Sequence, residues 1–279
     1  MNYKKIDIIY LIFFLITLLS SCSAERELAR EFVKTKKDIP ILLYCTDKLV
    51  LTNDKLKKII NFDSLDVSKQ DSLWTAKTLY LDSVNDVKLL NKFYTTMKSE
   101  LQSYGFLVFT NDSIDKFNSL ETSKYSLNIA QVEISEDDYI YRDQEVFPNS
   151  LVYYHDNTLN LINLNLWFEF SSTGFKTEKV FYSSFPLNDQ LESRFIIDNN
   201  TDKVSYQYKI TPFNLNDIYQ LCDFSAKKST NYLFNFLMNK YVKDNLPSNV
   251  AIPKYFSFDH NTGFLYSNSE DRFEELNSN

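Results

Sequence analysis

The sequence predicts an α+β fold: a strand-helix-strand α/β layer, then an antiparallel meander and C-terminal helices. Three observations carry this. Between Thr78 and Ile134, short apolar runs alternate with stretches whose apolar residues recur about every 3.6 positions. From Thr158 to Ile210, apolar and polar residues alternate in short runs parted by turn residues. Beyond Asn214 the helical period returns.

Ahead of that body the chain opens on Lys4 and Lys5, an apolar run from Ile8 to Leu19, two serines and Cys22. The run is shorter than the roughly 20 residues that cross a hydrocarbon core, and basic, apolar, small is the order of a secretory signal. Its ending, Leu19-Ser20-Ser21-Cys22, resembles a lipobox. Residues 1–21 are therefore expected to be a lipoprotein signal peptide. Cys22 is expected to carry acyl chains, and more than one chain is needed for stable anchoring to a membrane. Residues 22–38 read as a lipidated tether with a short helix from Glu25 to Lys36. Residues 39–252 read as a single globular domain with a candidate sub-boundary at 140–157, and 253–279 as a polar tail with a loose end.

Within the domain, residues 39–51 read as a strand interrupted at Thr46-Asp47, and Asn53 to Ile60 as a short helix whose basic cluster is a solvated face. Thr78 to Leu81 reads as a strand. Ser83 and Asp86 stand at capping-box spacing before Val84, Val87, Leu90, Met97 and Leu101, a helix that Gly105 must stop. Phe106 to Phe109 and Tyr125 to Ile134 read as strands joined by a short helix through Phe117. Helical crossovers of this length connect parallel strands. In the last strand Leu127 and Ile129 are odd-numbered while Ala130, Val132 and Ile134 are even, so either both faces are covered or a bulge shifts the register.

Val204, Tyr206, Tyr208 and Ile210, alternating with Ser205, Gln207 and Lys209, mark a strand with one wet face. Asp198 to Asp202 reads as a hairpin turn, because Lys203 and Lys209 stand where a calcium loop needs Gly and Glu. Two helical patterns follow, one through Ile218, Leu221 and Phe224, the other through Leu233, Phe236, Leu237 and Tyr241.

Composition excludes several chemistries. The three glycines, Gly105, Gly174 and Gly263, are too far apart for a dinucleotide fingerprint, a P-loop or a nucleophile elbow. The two histidines, His155 and His260, form no paired-ligand pattern, so neither a metal nor a cofactor is expected. A formal charge of −7 without a basic block argues against nucleic acid. Cys45 and Cys222 read as separate buried thiols, although an oxidising compartment permits them to pair.

Residues 135–157 carry acids and aromatics without a period and read as a long loop. Its rings either fold back on the core or present flat faces beside carboxylates to a sugar. Trp74, Tyr139, Tyr141 and Trp167 are the candidate glycan contacts. No catalytic residue stands out, so the chain reads as non-enzymatic. A glycosidase pair is defined by a carboxyl separation of ~5 to 9.5 Å, which sequence does not give.

Residues Leu159 to Phe170 and Asn231 to Tyr241, with the strand Ile129-Ala130-Gln131-Val132-Glu133, resemble a lipoprotein family of the Bacteroidetes. The resemblance supplies no catalytic residues. Glu25 and Glu27, close behind Cys22, resemble an export signal of such lipoproteins, although acids also suit the first turn of a helix. The resulting expectation is an outer-membrane lipoprotein, on the periplasmic face in preference to the cell surface. It would be held by acyl chains on Cys22 and act as a non-catalytic interaction or assembly module with an envelope protein partner. The alternative is a surface lipoprotein that binds or cleaves glycans.

Overall fold

The computed structural model describes residues 24–35, 37–147, 151–172, 179–198, 201, 203–247 and 255–268; the signal segment and Cys22 lie outside them. Helix α1 (Ala24–Thr35) leads to strands β1 (Ile39–Cys45) and β2 (Leu49–Asn53) and helices α2 (Asp54–Lys57) and α3 (Val67–Lys77). Helix α4 (Asp86–Ser103), strand β3 (Phe106–Phe109) and helix α5 (Ile114–Asn118) precede two long strands, β4 (Tyr125–Val146) and β5 (Val152–Ser172). Then come β6 (Lys179–Asn188), β7 (Gln190–Asp198), β8 (Lys203–Thr211), helix α6 (Leu215–Asn245) and the hairpin of β9 (Tyr255–Asp259) and β10 (Phe264–Asn268).

Six strands make one mixed sheet in the order β3-β1-β4-β5-β6, with β2 pairing to β4. Strand β1 runs parallel to β3 and β4, and β4, β5 and β6 are antiparallel. The α+β class is thus as expected. Helices α1, α4 and α6 share one core with the sheet: Phe32, Phe93, Met97, Leu221 and Leu237 pack in the same cluster as Ile129, Ile134, Leu164 and Phe170. Helix α5 lies against β1, and its Phe117, buried outside that cluster, has its ring 5.5 Å from that of Phe109 on β3.

Several local expectations are corrected. Thr78 to Leu81 is a bend running into a 3-10 turn, because the N–H groups of Leu79 and Tyr80 donate to the Glu136 carboxylate instead of a strand. The parallel partner of β3 and β4 is β1, which lies between them. The N-cap of α4 is Asn85, whose side chain accepts from the Lys88 N–H, not Ser83. The change of phase in β4 is a bulge between Ile129 and Gln131. The two C-terminal helical patterns are one 31-residue helix, opened by a capping box of Asn214 and Asp217. Residues 255–268 of the expected polar tail, read without secondary structure, are the β9–β10 hairpin, turned at Gly263 with φ +69°.

The largest correction concerns residues 135–157. Apart from 148–150, which lie outside the described residues, and the flanking Phe147 and Leu151, they are strand. Strand β2 leaves β4 at Glu136 and β6 leaves β5 at Leu161, so beyond those points β4 and β5 pair only with each other. At ~3.3 Å per residue this arm is roughly 30 Å long.

A bare two-stranded ribbon is marginal in water, and here the β7–β8 hairpin braces it. Asp143 of the arm accepts from Ser193 Oγ and from Tyr206 OH, the latter at 3.1 Å. Asn157 Nδ2 donates to the same Tyr206 oxygen at 2.8 Å, and the His155 ring stacks 4.1 Å from that of Tyr206. Where the chain turns from β6 into β7, buried Asp189 accepts from Asn160 N and Nδ2 and from Phe213 N. One carboxylate therefore fixes the chain's exit from the main sheet and its return to α6.

Candidate functional site

Helix α6 carries asparagines at 231, 235 and 239, four apart and so on one stripe. Asparagine is a mediocre interior helix former, and three on one stripe need a structural reason. The reason is strand β9. Asn239 Oδ1 accepts from the Phe256 N–H and its Nδ2 donates to the Phe256 carbonyl, both at 2.8 Å. Two residues along, Asn235 Oδ1 accepts from the Phe258 N–H at 2.8 Å and Asn231 Nδ2 donates to the Phe258 carbonyl at 2.9 Å. The ladder is tied along the helix by Asn235 Nδ2 donating to Asn231 Oδ1 at 3.0 Å.

These amides do for one edge of β9 what a neighbouring strand would do, while β10 pairs the other edge. Between strand contacts, Phe256 is buried in the main core and Phe258 lies 5.6 Å from the Phe234 ring.

Beside the ladder lies an open cleft of roughly 490 Å³, within the size range of small-ligand sites. One wall is Tyr104 with the tilted His260 ring centred 4.6 Å away; Lys227 and Lys228 of α6 lie on another part of the rim. Burial pushes the Tyr104 phenol above its usual range, against the opposite pull of the hydrogen bond from Asn231. Asp259 at the hairpin turn is held below the ordinary carboxylate range, first by the Thr262 hydroxyl. The arrangement presents paired donors and acceptors at the two-residue repeat of an extended backbone, beside aromatic side-chain pockets. Its chemistry is recognition of polypeptide main chain.

The residues singled out from sequence lie elsewhere and do not converge. Trp74 packs on the core, and its indole Nε1 donates to Asp82 at 2.8 Å. Trp167 is half-buried on β5, its ring 4.8 Å from that of Tyr182. Tyr139 and Tyr141 are exposed on the arm with ring centres 6.4 Å apart. Trp167 faces Gln131 in the sheet register, eight positions from Tyr139, or roughly 25 Å of strand.

The acids beside those tyrosines are engaged in ion pairs. Glu136, fully buried, takes Lys55 Nζ at 3.0 Å as well as the two backbone donors; Asp138 lies 3.4 Å from the same ammonium, and Asp137 pairs with Lys58. The basic cluster of α2 is therefore not simply a solvated face, since Lys55 is buried with Glu136. Cys45 and Cys222 are free thiols, on β1 and α6. Among the described residues no cluster of His, Cys, Asp and Glu could hold a metal, and no helix is long and apolar enough to cross a membrane. The ladder was missed in the sequence because hydrophobic periodicity was the signal read there; the signal that finds it is the polar repeat Asn-x-x-x-Asn-x-x-x-Asn.

No family model matches the chain. No curated protein matches it. Among solved structures, the crystal structure of a neuraminyllactose-binding hemagglutinin homolog from Helicobacter pylori is similar over 75% of this chain and 90% of that one, at 10% identity and a TM-score of 0.29. At that level the likeness carries no argument about this protein's fold or function.

Proposed function

We propose that this protein is a lipid-anchored lipoprotein of the outer membrane, of the Bacteroidetes type its sequence resembles. Its body acts as a non-catalytic interaction module toward an envelope protein partner, on the periplasmic face. The observation that carries the interaction role is the arm. On one side of it Ile140, Val146, Val152 and Tyr154 are 67%, 64%, 55% and 65% exposed. Between them, Arg142 and Asp156 neutralise each other through a two-pronged pair at 2.7 Å. Apolar side chains gathered on a projecting element mark a surface suited to another macromolecule.

Two measurements test this. Mass spectrometry of the protein from its native membrane should give a chain starting at Cys22 with added acyl mass, lost in Cys22→Ala; an unprocessed chain in both removes the anchor and the localisation. Photo-crosslinking residues at Ile140 and Val152 should trap one protein species that the same residue at Ser99, exposed on α4, does not trap. Equal trapping at all three positions, or none, removes the arm as the contact.

The second reading, glycan binding, is favoured by one pair: Trp167 beside Tyr182, whose hydroxyl donates to Asn165 at 3.0 Å, offers ring faces next to an amide. Oligosaccharide binding lost in Trp167→Ala would support it, and binding unchanged by that substitution would reject it.

A further inference from the structure

We infer that the asparagine ladder of α6 is a binding groove for extended polypeptide, which the chain's own strand β9 occupies in cis.

Every ladder bond to β9 goes to main chain: the N–H and carbonyl of Phe256 and of Phe258. The asparagines therefore select a conformation, not a sequence. Selectivity comes from the alternate side chains at 256 and 258, both aromatic and both packed with the core cluster. The ligand class is an extended segment with bulky apolar residues two apart, the pattern by which added strands are recognised at sheet edges.

Two further observations separate a groove from a fixed seam. Among the described residues the hairpin joins no strand of the main sheet, and the side-chain hydrogen bonds that dock β9 come from α6. An isolated two-stranded hairpin is marginal, so loss of the dock releases it as a unit without cutting a ladder of the main sheet. Among the described residues, a cleft of roughly 490 Å³ also runs along the ladder and β9, past Lys227, Lys228 and Asn268.

In cis the occupant acts at an effective concentration on the order of 1 mM, so a peptide in trans competes well only when the cis segment is weakened. The test uses the full chain and a fluorescently labelled synthetic peptide with the sequence of residues 255–268. Phe256→Ser, and separately Phe258→Ser, weakens the cis occupant, and the peptide should bind these variants at least about tenfold more tightly than the unaltered protein. Adding Asn235→Ala with Asn239→Ala should abolish that gain. A peptide scrambled except at the positions of Phe256 and Phe258 should bind as well as the original.

Hydrogen exchange reads release of the hairpin and integrity of β4 and β5 in the same samples. A released hairpin that leaves a folded body unable to bind peptide overturns the proposal. So does binding that ignores the ladder substitutions. If both serine variants unfold the body, β9 is part of the core and the groove does not exist.

Discussion

One side-chain amide of Asn239 holds both main-chain groups of Phe256, giving a hydrogen to its carbonyl and taking one from its N–H, each at 2.8 Å. Only a side chain with a donor and an acceptor in one plane can do this at the spacing of a peptide unit, which restricts the position to Asn or a closely similar amide. A helix thereby binds a strand by the strand's own hydrogen-bonding pattern.

Asn239→Asp keeps the size and removes the donor. The acceptor for the Phe256 N–H stays, but the Nδ2 donations to the carbonyls of Phe256 and Asn235, at 2.8 and 2.7 Å, are lost at a net ~0.5 to 1.5 kcal/mol each, more for a buried group left unpaired. The expected outcome is exchange of the amides of residues 255–268 faster by about tenfold or more, with β4 and β5 unchanged. Slowed or unaltered exchange at Phe256 would mean that the ladder does not hold the hairpin.

Glu136 is the polar centre of the fold beside the arm: fully buried, it takes Lys55 and the N–H groups of Leu79 and Tyr80. Removing one partner of a buried pair costs about 3 to 5 kcal/mol because the other charge is left behind. Glu136→Ala leaves the buried ammonium with Asp138 alone, at 3.4 Å, and strands two backbone donors, whereas Lys55→Met leaves the carboxylate with both backbone donors. Glu136→Ala should therefore lower the urea midpoint more than Lys55→Met does. Equal losses would show that the backbone contacts at 79 and 80 contribute nothing.

The fold was legible in the sequence where the chain's period reports one covered face. Leu164, Leu166, Phe168 and Phe170 alternate in β5, and Leu90, Met97 and Leu101 line the buried side of α4, because each packs on the single core. It was not legible where polar groups replace ladder bonds. Thr78 to Leu81 has the composition of a strand, but Glu136, distant in sequence, supplies its acceptor. The arm at 135–157 reads as a loop because its partners cover its two faces differently. In the core half of β5 the even positions Ile162, Leu164 and Leu166 are buried; in the arm the odd positions Asn157 and Leu159 are. That change of covered face removes any single period. Of the site, the apolar face of α6 was visible, while the Asn stripe acquires meaning only when β9 is laid against it.

Asp189 meets three donors, Asn160 N at 2.9 Å, Asn160 Nδ2 at 2.7 Å and Phe213 N at 3.2 Å. Asp189→Asn turns one carboxylate oxygen into a donor without changing volume, so an N–H must lose its acceptor at a cost of ~1 to 3 kcal/mol. The expected result is a lower urea midpoint with faster exchange at the Asn160 and Phe213 amides. Unchanged exchange at both would assign the corner to packing.

Burial pushes the thiols of Cys45 and Cys222 up to about 12 from an ordinary value of 9.0; at Cys222 the neighbouring Asp223 adds to this and Lys92 opposes it. Both should then be slow toward a thiolate-seeking disulfide reagent at pH 8, and react fully once guanidinium unfolds the chain, because the thiolate is the reactive form. The sign of the stability effect follows from the protons. Above pH 9 the unfolded thiols lose theirs while the folded ones keep them, so the folded state binds more protons and stability falls as pH rises from about 9 toward 12. Below pH 9 the two states are equally protonated and these groups contribute no slope. Each thiol can add at most ~1.4 kcal/mol per pH unit, and the half-buried phenols of Tyr104 and Tyr125, also raised by desolvation, act in the same direction. Urea midpoints at pH 8, 9, 10 and 11 should decline above 9, and the decline should be shallower in Cys222→Ala than in the unaltered protein, even though the substitution lowers stability at every pH by opening a cavity beside Ile218. An equal slope in both proteins would mean that the Cys222 thiol is not held neutral by its surroundings.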